Sequence, residues 1–275
     1  MRSILDAMLT RNGWMLTGAV GLSIGYFAGQ AANRQEHALD ANLYMQTSAE
    51  YRAACLQTYQ WATERLDQRV ATRTLSKPPA VVMDLDETVV DNAAYQSYLD
   101  RENMDYSDAA WERYERDFPG EVKLIPGVKA FINHAEAKGV TVIFLSNRLT
   151  KYQESTIKAL TRNGISTDHI ADRLVLKDTT SDKSARRAQV AAKFDIVLFV
   201  GDNLRDFDES FVTPKLDFKD GANRAQAIAG RKSLVDANAY HFGADWIILP
   251  NPVYGEWQRP LGPDPRSNLR PTEMK

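Results

Sequence analysis

Residues 81–95 read VVMDLDETVVDNAAY, and this stretch decides the fold. Its first half belongs to a short apolar run rich in valine, residues 80–85, which is typical of a strand buried on both faces of a sheet. Acidic residues follow this run without a break. Apolar runs of the same kind, two strong and two weaker, lie further along the chain at 141–145 (TVIFL), 195–200 (DIVLFV), 174–176 and 246–249. The sequence therefore predicts five buried strands.

Helical patterns lie between these strands. The apolar residues of 128–135 recur at the spacing of one helix face, and Gly139 ends that pattern. Strands that alternate with helices predict an α/β fold with a doubly wound parallel sheet and right-handed crossovers.

Two segments depart from this alternation. Residues 37–73 contain neither proline nor glycine and repeat apolar residues every three or four positions, which predicts one or two leading helices. Residues 88–124 are polar and rich in aromatic side chains, and we interpret them as an inserted, mostly helical cap. We expect one domain over residues 35–275, with a core that begins at residue 80 and a closing tail at 250–275.

The N-terminus has the features of an export segment. Residues 13–32 carry no charge and are flanked by Arg11 and Arg34. Two interpretations of residues 1–34 stay open, a cleaved signal peptide and a retained membrane anchor. In either case we expect the protein in the periplasm or elsewhere in the cell envelope, with membrane contact through this segment alone.

Composition excludes several classes of protein. The 275 residues carry a net charge of −2, which lacks the basic footprint of a protein that binds polymeric nucleic acid. Cys55 is the only cysteine, so an intrachain disulfide and a cysteine-based zinc site are ruled out. We interpret Cys55 as a small buried apolar residue.

Polar residues follow the strong strands, where a parallel sheet binds its ligands. The carboxyl ends of parallel strands share one edge of a sheet, so these groups should converge there. They are Asp84, Asp86, Ser146, Asn147, Asp202 and Asp206. Lys183, which lies between the runs 141–145 and 195–200, is expected to join them.

This set of groups favours phosphoryl transfer. Clustered carboxylates repel one another and need a cation, and ligands made only of oxygen favour Mg²⁺. Asp84 could attack phosphorus and form an aspartyl-phosphate, and Asp86 could first protonate the leaving oxygen and then activate water. Ser146, Asn147 and Lys183 are candidates for holding the phosphoryl oxygens.

The motifs resemble those of a known family. Residues 81–95 together with 199–207 (FVGDNLRDF) resemble the paired signatures of the bacterial class C acid phosphatases, a group of the haloacid dehalogenase superfamily. Residues 46–51 and 250–255 resemble the leading helix and the closing segment of the same family, so the resemblance covers roughly residues 44–257. The four signature aspartates, which the resemblance implies as metal ligands, are Asp84, Asp86, Asp202 and Asp206.

The resemblance implies an exported acid phosphatase that uses Mg²⁺ to hydrolyse phosphomonoesters, in particular nucleoside monophosphates, as a 5′-nucleotidase does. Outer-membrane lipoproteins are common in the family, but this export segment contains no cysteine that could accept a lipid. Tyr95, Trp111 and Tyr254 are the candidates for contacting a nucleobase, which stacks readily on aromatic rings.

Several alternatives remain open at this stage. A receiver-like phosphoacceptor domain and a surface binding protein with secondary phosphatase activity are the other functions considered. Asp206 could contact the metal or only hydrogen-bond to a ligand. Arg186 and Arg187 are interpreted as a solvated helix face. The sequence does not give the oligomeric state, for which a homodimer is one option.

Overall fold

The computed structural model describes residues 39–166, 168–272 and 274. The predicted export segment, residues 1–34, lies outside the described residues, and the predicted domain boundaries stay predictions. Within the described part of the chain, no helix combines the length and the apolar character that a membrane crossing needs.

The secondary structure alternates between strands and helices after a helical start. The strands are β1 (Pro79–Met83), β2 (Val90–Asp91), β3 (Lys123–Leu124), β4 (Thr141–Leu149), β5 (Leu174–Lys177), β6 (Asp195–Gly201) and β7 (Trp246–Ile248). The helices are α1 (39–47), α2 (Ala49–Thr72), α3 (Ala93–Arg101), α4 (Asp108–Asp117), α5 (Val128–Ala137), α6 (Gln153–Arg162), α7 (Ile170–Arg173), α8 (Ser184–Lys193) and α9 (Gly221–Ala237).

Five of the strands form a parallel sheet in the order β5-β4-β1-β6-β7. β1 lies at its centre, where Val81 pairs with Val142 of β4 on one side and with Leu198 of β6 on the other. Chain order reverses direction at β1, so the crevice beyond its carboxyl end is where a sheet of this kind binds ligands. The predicted doubly wound α/β fold is confirmed.

Both faces of the sheet are covered. On one face, α2 and α5 close the largest apolar cluster, in which Cys55 is fully buried as expected. On the other face, Val190 of α8 packs against β1 and β4 residues such as Val82 and Ile143. Helices on both faces explain why β1 reads as a continuous apolar run rather than an alternating one.

A small antiparallel ribbon, β2 with β3, carries α3 and α4 between β1 and β4. Ser107 begins α4 by accepting a hydrogen bond from the backbone N–H of Ala110 at 3.2 Å. Tyr95 of α3 packs on Tyr114 of α4 with ring centroids 4.8 Å apart. These two helices form the mostly helical cap that the sequence predicts.

Candidate active site

Asp84 is the first residue after β1, and a tight turn follows it. The carbonyl of Leu85 accepts hydrogen bonds from the N–H groups of Thr88, Val89 and Val90 at 3.2, 2.8 and 2.8 Å. Glu87 adopts a left-handed backbone with φ of 56°. This turn keeps Asp84 and Asp86 at the carboxyl end of the central strand, where both line one cavity.

Three carboxylates meet at this point. Each of Asp84, Asp202 and Asp206 offers one oxygen, and these three oxygens lie within 4.8 Å of one another. Asp202 follows β6 directly, and Asp206 ends the short 3₁₀ helix Leu204–Asp206. Lys183, just before α8, places its Nζ 2.6 Å from Asp84 Oδ1 and 2.7 Å from Asp206 Oδ1. The convergence predicted from strand ends is therefore present for these four residues.

Charge repulsion and burial act together on this cluster. Burial, with Asp206 and Asp86 nearby, raises the pKa of Asp84 to about 7 even though Lys183 opposes the change. Burial and the carboxylates of Asp206 and Asp84 also raise the pKa of Asp202 well above its ordinary value. Burial alone lowers the pKa of Lys183, but Asp206 and Asp84 raise it overall. One ammonium thus pairs with two of the three carboxylates, Asp84 and Asp206, and the cluster that results accommodates a hard cation.

Neighbouring groups fix the orientation of the carboxylates. Asp202 accepts from Thr88 Oγ1 at 3.2 Å and from Asn251 Nδ2 at 2.9 Å. Asp206 Oδ2 accepts from the backbone N–H of Asn203 at 2.9 Å, which leaves its Oδ1 to Lys183. Among the described residues, Asp202 therefore has only uncharged hydrogen-bond partners, whereas Asp206 already has a cationic one.

Asp86 lies outside this group of three. Its Oδ1 accepts from Arg148 Nε at 2.9 Å, from Arg148 Nη2 at 2.7 Å and from Asn92 Nδ2 at 2.9 Å. The predicted set of four metal-binding carboxylates is therefore not assembled as such, because Arg148 holds the carboxylate of Asp86. Sequence analysis did not single out Arg148, and it carries no signal beyond its place two residues after Ser146.

β4 is longer than the apolar pattern predicts, and this changes the surroundings of two candidates. It extends to Leu149, so Ser146 lies within the strand and is fully buried. Ser146 Oγ accepts from the backbone N–H of Arg148 at 3.1 Å. Asn147 lines the cavity, and its Oδ1 accepts from Arg186 Nη2 at 2.7 Å.

Arg186 does not lie on a solvated helix face, which corrects the sequence interpretation. Its Nη1 donates to the carbonyl oxygen of Ser146 at 2.6 Å, in addition to its bond with Asn147. Arg187 is likewise engaged, because its Nη1 donates to the carbonyl oxygen of Arg205 at 3.0 Å. Both arginines tie the start of α8 to the loops around the site.

The cavity above the carboxylates has a volume of about 510 Å³. Trp111 and Tyr254 line it as expected, but Tyr95 does not. Tyr95 is only 3% exposed, and its ring packs beneath Trp111 with centroids 5.2 Å apart. Tyr95 therefore supports the aromatic side of the cavity from behind rather than lining it, and its contact with substrate stays a prediction. The sequence analysis missed other residues that line the cavity, namely Gln96, Tyr106, Lys177, Arg205 and Arg259.

The closing segment forms one wall of the cavity. Asn251 Oδ1 accepts from the backbone N–H groups of Val253 and Tyr254 at 3.1 and 3.3 Å. Gly255 has φ of 150°, and a Cβ there would lie 3.0 Å from Trp257 Cδ1. Buried Glu256 accepts from the N–H of Thr213 at 2.8 Å. These contacts hold Tyr254 opposite the cap.

Comparison with known proteins identifies the class of this site. The family model described as "HAD superfamily, subfamily IIIB (Acid phosphatase)" matches residues 24–257. The chain belongs to this family of acid phosphatases and is a phosphomonoester hydrolase. This membership decides against a receiver-like phosphoacceptor domain.

Two solved structures of the class C acid phosphatase from Bacillus anthracis are similar to the whole domain. The one with tungstate bound is 31% identical, with a TM-score of 0.76, over 87% of this chain and 99% of that chain. The other is also 31% identical, with a TM-score of 0.76, over 89% of this chain and 100% of that chain. The resemblance to class C acid phosphatases is confirmed.

Proposed function

We propose that this protein is an exported, Mg²⁺-dependent phosphatase that hydrolyses phosphomonoesters, preferentially nucleoside monophosphates. One observation carries the proposal. Three carboxylate oxygens, from Asp84, Asp202 and Asp206, lie within 4.8 Å of one another beside the ammonium of Lys183, in a cavity with aromatic walls.

The donor set fits a magnesium ion. Asp84, Asp202 and Asp206 offer only oxygen ligands, and the raised pKa of Asp84 and of Asp202 follows from burial and from the neighbouring carboxylates, which Lys183 opposes only in part. These three residues would hold the ion. When bound, Mg²⁺ supplies positive charge against the phosphoryl oxygens.

The first half of the reaction transfers the phosphoryl group to the enzyme. A carboxylate oxygen of Asp84 attacks phosphorus, the bond between phosphorus and the ester oxygen breaks, and an aspartyl-phosphate forms. Asp86, which lines the same cavity, gives its proton to the leaving oxygen. We expect Lys183 and Asn147, which both line the cavity, to donate hydrogen bonds to the phosphoryl oxygens. Ser146, which precedes Asn147 in β4 and is fully buried, stays a predicted phosphate ligand.

The second half releases inorganic phosphate. Water attacks the phosphorus of the aspartyl-phosphate, its proton passes to Asp86, and the bond between phosphorus and Asp84 breaks. Both carboxyl groups return to their starting states, so the cycle consumes one water and one phosphomonoester.

Substrate preference rests on the cavity walls. Trp111, Tyr106 and Tyr254 line the cavity that contains the carboxylates, and its volume of about 510 Å³ suits a small organic ligand. A nucleobase stacked on an aromatic side chain gains about 1–3 kcal/mol. We therefore expect nucleoside monophosphates to be favoured over small alkyl phosphates, mainly through KM and with little preference among bases.

Export is proposed from the sequence of residues 1–34. The uncharged stretch between Arg11 and Arg34 would direct the protein to the cell envelope, either released by cleavage or held by the segment. Fractionation of cells that express the full chain, together with the N-terminal sequence of the recovered protein, tests this. Recovery of the uncleaved protein from the cytoplasm alone would contradict it.

One assay tests the enzymatic proposal. Phosphate release is measured for a panel of nucleoside monophosphates and a simple alkyl phosphate, before and after treatment with a chelator and again after Mg²⁺ is restored. We expect chelation to abolish activity, Mg²⁺ to restore it, and kcat/KM to be roughly 5- to 150-fold higher for nucleotides. Full activity after exhaustive chelation would overturn the metal assignment. Equal kcat/KM for both ester classes would overturn the nucleotide preference.

A further inference from the structure

Arg148 is the largest fully buried side chain among the described residues, and it has no role in the proposed reaction steps. Its side chain is 2% exposed. It extends from β4 into the space between the core and the cap, where it hydrogen-bonds to Asp86 and Asn92 and where the charge of Glu115 acts on it. We call these four residues the cap–core seam. A buried guanidinium is stable only when its donors and its charge are matched, so each contact it makes restricts its position.

Its closest contacts are with one oxygen of Asp86. Nε and Nη2 of Arg148 lie 2.9 and 2.7 Å from Asp86 Oδ1, and Asn92 Nδ2 adds a third donor at 2.9 Å. No hydrogen bond from any described residue goes to the other oxygen, Oδ2, although Asp86 lines the cavity. Three donors on Oδ1 fix the plane of the carboxyl group and leave Oδ2 as the oxygen available for proton transfer.

The same guanidinium also contacts the cap. Its central carbon lies 5.8 Å from the ring centroid of Trp111, which lines the cavity. Nη2 donates to Asn92 Oδ1 at 3.1 Å, directly before α3 begins. Next to Arg148, the backbone N–H of Leu149 donates to Glu115 Oε1 of α4 at 2.9 Å. The position of Asp86 is thereby linked to both helices of the cap.

We infer that Arg148 is a positioning residue for proton transfer: it holds Asp86 through Oδ1, so that Oδ2 faces the ester oxygen of a substrate that lies against Trp111. This inference rests on the proposed function, in which Asp86 gives and takes the proton. A group that orients an acid affects the reaction most when the leaving oxygen needs that proton.

The test compares two leaving groups in the full-length, Mg²⁺-loaded enzyme. A simple alkyl phosphate must have its leaving oxygen protonated, whereas p-nitrophenyl phosphate releases an anion that is stable without a proton. The quantity measured is kcat/KM, which covers the steps up to departure of the alcohol and excludes hydrolysis of the aspartyl-phosphate. We expect Arg148→Met to lower it roughly 100- to 1,000-fold for the alkyl ester and less than about 10-fold for the aryl ester.

Two further variants keep the test decisive. Arg148→Lys retains a cation but offers one donor nitrogen where the guanidinium offers two to Asp86. It should show the same preference for the aryl ester with a smaller loss on the alkyl ester, and it decides the question if Arg148→Met does not fold. Arg173→Met is the matched control, because Arg173 is also a buried arginine, 2.9 Å from Glu136 and 6.0 Å from the ring of Phe144, but away from the cavity. It should leave the ratio of the two esters unchanged.

Asp86→Asn separates the failure of this inference from the failure of the proposed function. If Asp86→Asn affects the alkyl ester far more than the aryl ester, but the Arg148 variants lower both equally, Arg148 is only structural and the inference is overturned. If Asp86→Asn itself shows no difference between the esters, the acid role of Asp86 is wrong, and the inference falls with it.

Discussion

Burial of Glu115 predicts that the free energy of unfolding of this protein falls as pH rises. This carboxyl group of α4 is 2% exposed. Oε1 accepts from the N–H of Leu149, whereas Oε2 has no hydrogen-bond partner among the described residues. Burial raises the pKa of Glu115 to about 7, against the opposing effect of the nearby Arg148.

The magnitude follows from linkage. The pKa of Glu115 is about 7 in the folded protein and 4.5 in its ordinary state, so the folded protein binds more protons than the unfolded chain between these values. The free energy of unfolding therefore falls as pH rises through this window. At about 1.36 kcal/mol for each pH unit, the loss amounts to at most about 3 kcal/mol by pH 8.

Glu115→Gln removes the titration while keeping an acceptor for the N–H of Leu149. We expect the free energy of unfolding of the variant, relative to the unmutated protein, to rise by up to about 3 kcal/mol between pH 4.5 and pH 8. Urea titrations at five or so pH values, with a chelator present, measure this difference. The new amide group beside Arg148 also changes the free energy of unfolding, but by an amount that does not depend on pH. It therefore does not affect how the difference between the variant and the unmutated protein varies with pH.

Glu112→Gln is the matched control from the same helix. Glu112 hydrogen-bonds to Lys151 and Tyr152 at the surface, and these contacts lower its pKa. The stability that it contributes is present above its ordinary pKa and is lost as pH falls, which is the opposite sign. Parallel pH curves for Glu115→Gln and the unmutated protein, or a difference that shrinks as pH rises, would refute burial as the dominant influence on Glu115.

Three predictions concern the reaction itself. Asp84→Asn should lower hydrolysis of p-nitrophenyl phosphate by several orders of magnitude with an unchanged circular-dichroism spectrum, because the attacking anion is lost; near-normal turnover would remove Asp84 from the mechanism. Asp202→Ala should raise the Mg²⁺ concentration needed for half-maximal activity more than Asp206→Ala does, since Asp206 is already paired with Lys183; the reverse order in a Mg²⁺ titration would exchange their roles. Trp111→Ala should raise KM for nucleotides about 5- to 150-fold and leave a small alkyl ester nearly unaffected; an equal change for both would remove the stacking role.

The sequence was sufficient for the fold and for the centre of the site, and the reason is geometric. Strands buried on both faces produce apolar runs that stand out, and the carboxyl ends of parallel strands must share an edge. Asp84 and Asp202 could therefore be brought together without coordinates. Lys183 follows no apolar pattern, but its order along the chain within the family motifs was enough to assign it.

The surroundings of the site could not be predicted in the same way. Apolar runs identify buried strand residues, but they do not show where a strand ends when its last residues are polar. The continuation of β4 through Ser146 and Arg148 could therefore not be predicted from the sequence. A charged residue in a strand sequence does not show whether it will be buried beside an oppositely charged side chain, as Arg148 is beside Asp86. Arg148 and Arg186 find their partners at sequence separations of 62 and 39–40 residues, which only the folded chain brings together.

The sequence also does not show which aromatic side chains of the cap line the cavity. Trp111, Tyr114 and Glu115 lie at i, i+3 and i+4 of α4, so they share one face of the helix. That face lies against both the cavity and the core. Trp111 and Tyr114 both pack on Tyr95, but only Trp111, one turn earlier, also lines the cavity.

The cap–core seam is polar although it is largely buried. Glu115 and Arg148 are buried at a cost in free energy, and apolar residues of similar size would fill the same space without it. The large apolar cluster beneath α2 and α5 contains neither Glu115 nor Arg148. Proteins keep charged residues at buried positions mainly where function requires them. In this seam we infer that the function is the orientation of Asp86 by Arg148.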